Sequence, residues 1–235
     1  MTKFISKKAE VHEANTFIAE FSAVLGPSYV GEGCFIGPYV VIGHPKKNTP
    51  SEVLREGDWE YLDGLSSGAR IDKNGVIRGG TVVYEGAKLD EGVITGHYAL
   101  VRERSTVGKR SLIGSYVVLD GEVHVGEDVR IQTGTYLPHG TIVEDRVFFG
   151  PYVTVTNDKY PPSSKLVGVK ICKNAIVGAR AVLIAGVTVG ENSIIGAGAV
   201  VTKDVPEDVV VIGVPARVYC KREDFEKKRR EYERA

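Results

Sequence analysis

Three side chains in this sequence could carry out acid–base chemistry together: His139, Asn157 and Asp158. Imidazole is the group that takes up a proton near neutral pH. An amide donor can stabilise the oxyanion of a tetrahedral intermediate, and a carboxylate can hold an incoming ammonium or orient the histidine. Such a set suits transfer of an acyl group. His97 is a further candidate, whereas His12, His44 and His124 read as ordinary polar positions. Competing chemistries lack their motifs. No GxxxxGK[ST] or GxGxxG segment occurs, and no serine sits in a nucleophile elbow. Zinc needs three clustered ligands, and neither HxxxxH nor CxxC is present, so no metal site is expected.

The elements that must position these residues follow from a period of six. From Ile71 through Ile77, Val83 and Leu89 to Phe149 and Val155, every sixth residue is large and apolar except Thr95. Shorter runs in shifted frames start at Ile18 and at Ile171, ending at Ile42 and Val201. Six fits neither a helix nor a long strand. It is the mark of a parallel β-solenoid in which three short strands close a coil of eighteen residues. The expected fold class is therefore all-β, with nearly nine coils stacked over about 40 Å at the strand spacing. Glycine often follows the inward residue, as in Gly108, Gly114 and Gly126, where a tight corner is needed.

Register then becomes a site prediction. The second residue after each inward one gives a column Glu85, Glu103, Gly121, His139, Asn157. His139 and Asn157 should stack on one edge, with Asp158 beside them. His97 falls in another column with Ser115, Thr133 and Pro151, so only a second subunit could bring it to His139. A third column, Glu91, Lys109, Glu127 and Asp145, reads as a solvated face.

The repeat is interrupted at 43–70, which holds Trp59, Tyr61 and Asp63, and at 156–170, which holds Pro161 and Pro162. Long excursions from a rigid scaffold are tolerated insertions or functional loops. One domain is expected over 1–218 and a helix over 219–235, supported by Glu226/Arg230 and Asp224/Lys228 pairs four apart. Thirty basic and thirty acidic residues cancel, which removes the electrostatic case for nucleic-acid binding. Three cysteines without ligand spacing suit a reduced interior, and no apolar leader or membrane-length stretch is seen, so a cytoplasmic protein is expected.

The [LIV]-G-x4 repeats resemble those of the hexapeptide-repeat acyltransferases across nearly the whole chain. That resemblance implies a left-handed parallel β-helix and a homotrimer with acetyl-CoA bound between subunits. The stretch AIVGARAVLIAGVTVGENSIIGAGAVVTKDVP followed by VIGVPARV is similar to the closing coils of CoA-dependent members. FFGPYVTVTNDKYPP resembles nucleotide-sugar N-acetyltransferases acting on UDP- or dTDP-linked amino sugars, and TGHYALVRERSTVG a related acyltransferase subgroup. By resemblance, Asn157 and Asp158 would meet the sugar amine. Ala179, Ala197 and Gly198 would make room for the pantetheine arm, and Lys203, Arg217 and Lys221 would meet the CoA phosphates. Many such enzymes carry an acidic residue where this chain has His139, so that histidine is a base or a bystander. O-acetyl transfer, a zinc carbonic anhydrase of the same fold and a non-catalytic scaffold are the alternatives.

Overall fold

A side chain that recurs every sixth residue can be buried each time only if the chain turns a corner between one strand and the next. The computed structural model, which describes residues 2–46 and 58–234, is built in this way. Strands mostly two residues long form three sheets of ten, nine and eleven strands. The first sheet pairs Val83 with Val101, Val101 with Leu119 and Leu119 with Leu137, all parallel and eighteen residues apart. The second sheet stacks Leu89 on Val107 and Val125, and the third stacks Thr95 on Ile113 and Ile131. The fold is a left-handed parallel β-helix. For reference, the first edge lies where strands of the first sheet end, and the second and third edges follow the second and third sheets.

The core is one continuous column of inward residues. Val83, Leu89, Leu119, Leu137 and Phe149 are all fully buried, each worth about 1.5–3 kcal/mol of apolar burial. A second inward position, two residues earlier, holds small side chains such as Ala87, Ala99, Ser105, Ser111, Thr135 and Ala181, again almost fully buried. Its hydroxyls close the corners: Ser111 Oγ donates to Gly126 O at 2.8 Å, and Thr141 Oγ1 to Pro138 O at 2.7 Å. The one polar residue in the large column, Thr95, is fully buried and satisfied. Its Oγ1 accepts from Arg78 N at 3.0 Å and lies 3.3 Å from Thr81 Oγ1.

The solenoid is longer than the three sequence runs. Phe4–Ile5 and Glu10–Val11 extend the first and second sheets at one end, and Val209–Ile212 adds to the third at the other. The hexad spacing slips at these ends, from Val11 to Ile18 for example, which hides them from a strict count. Beyond Pro206 the chain does not pass directly into a helix. Arg217–Lys221 forms a strand antiparallel to Val209–Ile212, and the helix covers Arg222–Tyr232 rather than starting at 219.

The first excursion leaves after His44, which closes a strand from Val41, and returns by Arg70. Of the segment 43–70, residues 47–57 lie outside the described residues. Helix α1 (Trp59–Leu65) is capped by Asp58, whose side chain accepts from Tyr61 N. It packs Leu62 on Ala23 and Leu25, with Trp59 and Tyr61 at the margin of that cluster. Asp63 pins the helix to a corner by accepting from Gly26 N at 2.6 Å. Trp59 and Tyr61 thus serve packing against the first sheet. No described helix is long and apolar enough to cross a membrane.

Candidate active site

Corners are where this fold can display chemistry, because strand side chains alternate between the core and a flat face. On the first edge, Asn157 stands one coil above His139, as the register requires, and its Nδ2 donates to His139 O at 3.3 Å. The His139 imidazole is exposed, with Nε2 3.6 Å from Glu122 Oε2. Glu122 is itself paired with Arg104. His139 therefore heads a row of polar side chains, Arg104–Glu122–His139, along one edge.

Asp158 faces its own loop. Its Oδ2 accepts from Ser163 N at 2.8 Å and its Oδ1 from Tyr160 N at 3.0 Å. The hydrogen bond from the Ser163 backbone is the main reason its carboxyl lies below the usual range. The loop closes on the same edge, where Val167 N donates to Asn157 O at 2.7 Å. A Cβ placed on Gly168 would overlap Gly140 O, so glycine is what lets the returning chain pass next to His139. The loop thus presses on the edge at the level of the His139–Asn157 contact.

His97 lies on the third edge, away from His139, as the columns require. Its amide N donates to Ser115 Oγ at 3.1 Å and its ring lies 6.4 Å from that of Tyr98. The residues assigned to the donor divide among the edges. Ala179, Ala197 and Gly198 share the third edge, where Gly198 N donates to Ala179 O at 2.8 Å and a Cβ on Gly198 would meet nothing within 4 Å. Arg217 pairs in register with Ile212 at that same edge. Lys221 pairs with Val209 at the opposite end of the same hairpin, towards the second edge. Lys203 stands on the first edge, next to Asp204, which accepts from Thr188 N. Lys221 and Lys203 are therefore not brought together with Arg217 within one chain.

The sequence reading passed over a polar network on the outer face of the first sheet. Arg102 Nη1 donates to Asp120 Oδ1 at 2.7 Å, and Tyr136 Oη donates to Asp120 Oδ2 at 2.7 Å. Burial, reinforced by the bond to Asp120, pushes the Tyr136 phenol up to about 12. Glu103 is buried beside Arg102 and pairs with Lys46 Nζ at 3.1 Å. Burial alone would raise its carboxyl; hydrogen bonds and the two cations outweigh this and hold it low. The signal was present in the sequence: Arg102/Asp120, Arg104/Glu122 and Arg110/Asp128 are all eighteen apart. Among the described residues no three His, Cys, Asp or Glu side chains converge as a metal site would need.

Residues 11–44 and 168–203 match the family described as bacterial transferase hexapeptide (six repeats), and 105–138 match the hexapeptide repeat of succinyl-transferase. Over these residues the chain carries the repeats of hexapeptide-repeat acyltransferases, the proteins it is similar to. Among curated relatives, it is 28% identical over 236 residues to the bifunctional protein GlmU of Fervidobacterium nodosum, covering 97% of this chain and 43% of that one. The GlmU of Streptococcus suis is 34% identical over 145 residues, covering 62% of this chain and 30% of its own. This hexapeptide-repeat chain spans less than half the length of the curated relatives it matches. The fold is also that of LpxA from Acinetobacter baumannii, with a TM-score of 0.55 at 19% identity, over 94% of this chain and 78% of that one.

Proposed function

We propose that the protein is a cytoplasmic acetyltransferase that moves the acetyl group of acetyl-CoA to the amino group of a sugar linked to UDP or dTDP. The observation that carries this reading is the first edge itself, where His139 and Asn157 touch beside the 156–170 loop. The tightly turned TNDKYPP segment supplies the sugar-nucleotide likeness.

The steps are those of acyl transfer. The amine attacks the thioester carbonyl and the tetrahedral oxyanion collapses with loss of the CoA thiolate. His139 accepts the proton that the amine sheds, with Glu122 Oε2 3.6 Å from its Nε2. Asn157 retains one amide hydrogen beyond the one given to His139 O, which is available to the oxyanion. Asp158 contributes negative charge near the incoming ammonium. The donor fits the third edge, where Ala179 and Ala197 carry only a methyl side chain, Gly198 carries none, and Arg217 is at hand for phosphate. A homotrimer unites the two sets by apposing the first edge of one copy to the third edge of the next, which also brings in His97.

O-acetyl transfer is the second reading, favoured by the presence of a histidine with a carboxylate partner in place of an acidic residue. The two readings separate on one variant. A panel of UDP- and dTDP-amino sugars, and their hydroxyl analogues, is assayed by release of free thiol from acetyl-CoA. For an amine acceptor, His139→Ala lowers kcat about 10²–10⁴-fold at neutral pH and part of the rate returns at higher pH, where free amine accumulates. For a hydroxyl acceptor no such recovery occurs. Absence of thiol release with every acceptor would overturn both.

A further inference from the structure

The third edge carries a feature that acyl transfer does not use. Its corner residues project outward one per coil: Phe21, Tyr39, Gly80, Tyr98, Tyr116, Gly134 and Tyr152. The four tyrosines are 55–62% exposed, and all of these residues hold left-handed backbone. Rings on successive coils stack, Phe21 on Tyr39 at 5.2 Å and Tyr98 on Tyr116 at 5.4 Å, nearly parallel in each case. At Gly80 the ladder skips a ring. A Cβ there would overlap the ring of Tyr98, which leans over it. The registers Val41↔Val82 and Val82↔Leu100 put Tyr39, Gly80 and Tyr98 on three successive coils.

We propose that the gap between Tyr39 and Tyr98 is a slot for the nucleobase of a nucleotide ligand, with Arg78 at its rim for the attached phosphates. This deepens, and rests on, the nucleotide-linked acceptor proposed above. Two coil rises separate the backbones of Tyr39 and Tyr98 by about 10 Å, and the lean of the Tyr98 ring over Gly80 shortens the space between the rings. One planar ring in contact on both faces needs about 7 Å, a difference that a small tilt of the tyrosines closes. A stacked tyrosine pair from a second copy, with its own 5.4 Å spacing, would need about 12 Å and does not fit. The charge is right for a nucleotide: Arg78 is exposed on the coil of Gly80, and among the described residues no carboxylate pairs with it. The second gap, at Gly134, has Gln132 in the place of Arg78, and Arg180 already covers Tyr152. Gly80 and Gly134 are three coils apart, about 14 Å, and His139 shares the coil of Gly134. That is about the reach of a nucleoside diphosphate joined to one sugar. A base in the slot therefore places the sugar amine at the height of His139 on the adjoining copy.

The test is calorimetric titration of the full chain with UMP, dTMP, AMP and uridine. Wild type is compared with Tyr39→Ala, Tyr98→Ala, Tyr152→Ala and Arg78→Gln. Stacking predicts that UMP or dTMP binding weakens roughly 5- to 150-fold in each of the first two variants and is unchanged in Tyr152→Ala. Arg78→Gln should weaken UMP and leave uridine unaffected. The slot is overturned if no nucleotide binds wild type, or if Tyr39→Ala and Tyr98→Ala bind normally. It is also overturned if only AMP binding responds, because the ring would then serve the donor. Acyl transfer to amino sugars is scored separately. Transfer without these binding losses sinks the slot alone, and slot binding without any transfer sinks the proposed function alone.

Discussion

Replacing Thr95 by valine restores the apolar series that Thr95 interrupts, and the period alone therefore predicts a stabler protein. The structure predicts the opposite sign. Thr95 is fully buried, accepts from Arg78 N at 3.0 Å, and shares a hydrogen bond with Thr81 Oγ1 at 3.3 Å. Valine gains about 0.8 kcal/mol from one more buried methyl. It strands the Arg78 N–H in the corner, a loss of about 1–3 kcal/mol. Thr81 still donates to Gly96 O at 3.1 Å, so its loss is smaller. The net is a destabilisation of about 1–2 kcal/mol, which for a chain of this length lowers Tm by about 2–8 °C. Urea and thermal unfolding followed by circular dichroism measure it. Adding Thr81→Ala to Thr95→Val should cost less than the sum of the two single changes, because the pair shares one bond. A Tm equal to or above wild type in Thr95→Val would refute the account of the buried hydroxyl.

The carboxyls of Glu103, Glu85 and Asp63 are held low in the folded chain, so their contribution is present above the ordinary carboxylate range and is lost as pH falls through their folded values. Tm should therefore fall on acidification below about pH 5, and Glu103→Gln should lower Tm at neutral pH while flattening that decline, as a pH series of melts would show. Gly168→Ala forces a Cβ against Gly140 O and should cost about 1–3 kcal/mol locally. Limited proteolysis should then cut 156–170 faster with little change in the melt of the solenoid; an unchanged digestion rate would mean that the loop does not depend on this contact.

How much of this was legible in the sequence depended on whether a feature obeys the period. The stacking of His139 under Asn157 was, because both lie at a fixed offset from Leu137 and Val155. The Arg104–Glu122 and Arg102–Asp120 pairs obey the same spacing at the offsets on either side of that column. The coils at Phe4–Ile5 and Glu10–Val11 were harder to see, since the seven-residue step to Ile18 breaks the count. Helix α1 was hidden for a different reason. Its contact with Ala23 and Leu25 is a long-range packing choice, and WEYLDGL has no helical stripe long enough to announce it. The strand Arg217–Lys221 is hidden because the charge pairs that favour helix begin only a few residues later, at Asp224 and Glu226.

The division of the candidate residues among edges bears on how the site can work. His97 and His139 flank the first sheet, whose strands run from the third edge to the first. Six residues of extended chain span roughly 15–20 Å, far beyond what an imidazole on either side can bridge. Within one chain these histidines cannot act on the same atom, nor can Ala197 and Asn157 touch the same small ligand. Either the donor-facing and acceptor-facing edges belong to two copies, or the third edge has a separate task. The stacked tyrosines argue against an idle surface: four large rings in left-handed corners, most of their area in water, cost both backbone strain and hydration. Something flat or apolar is expected to cover them, and the missing rings at Gly80 and Gly134 fix where along the edge it can enter.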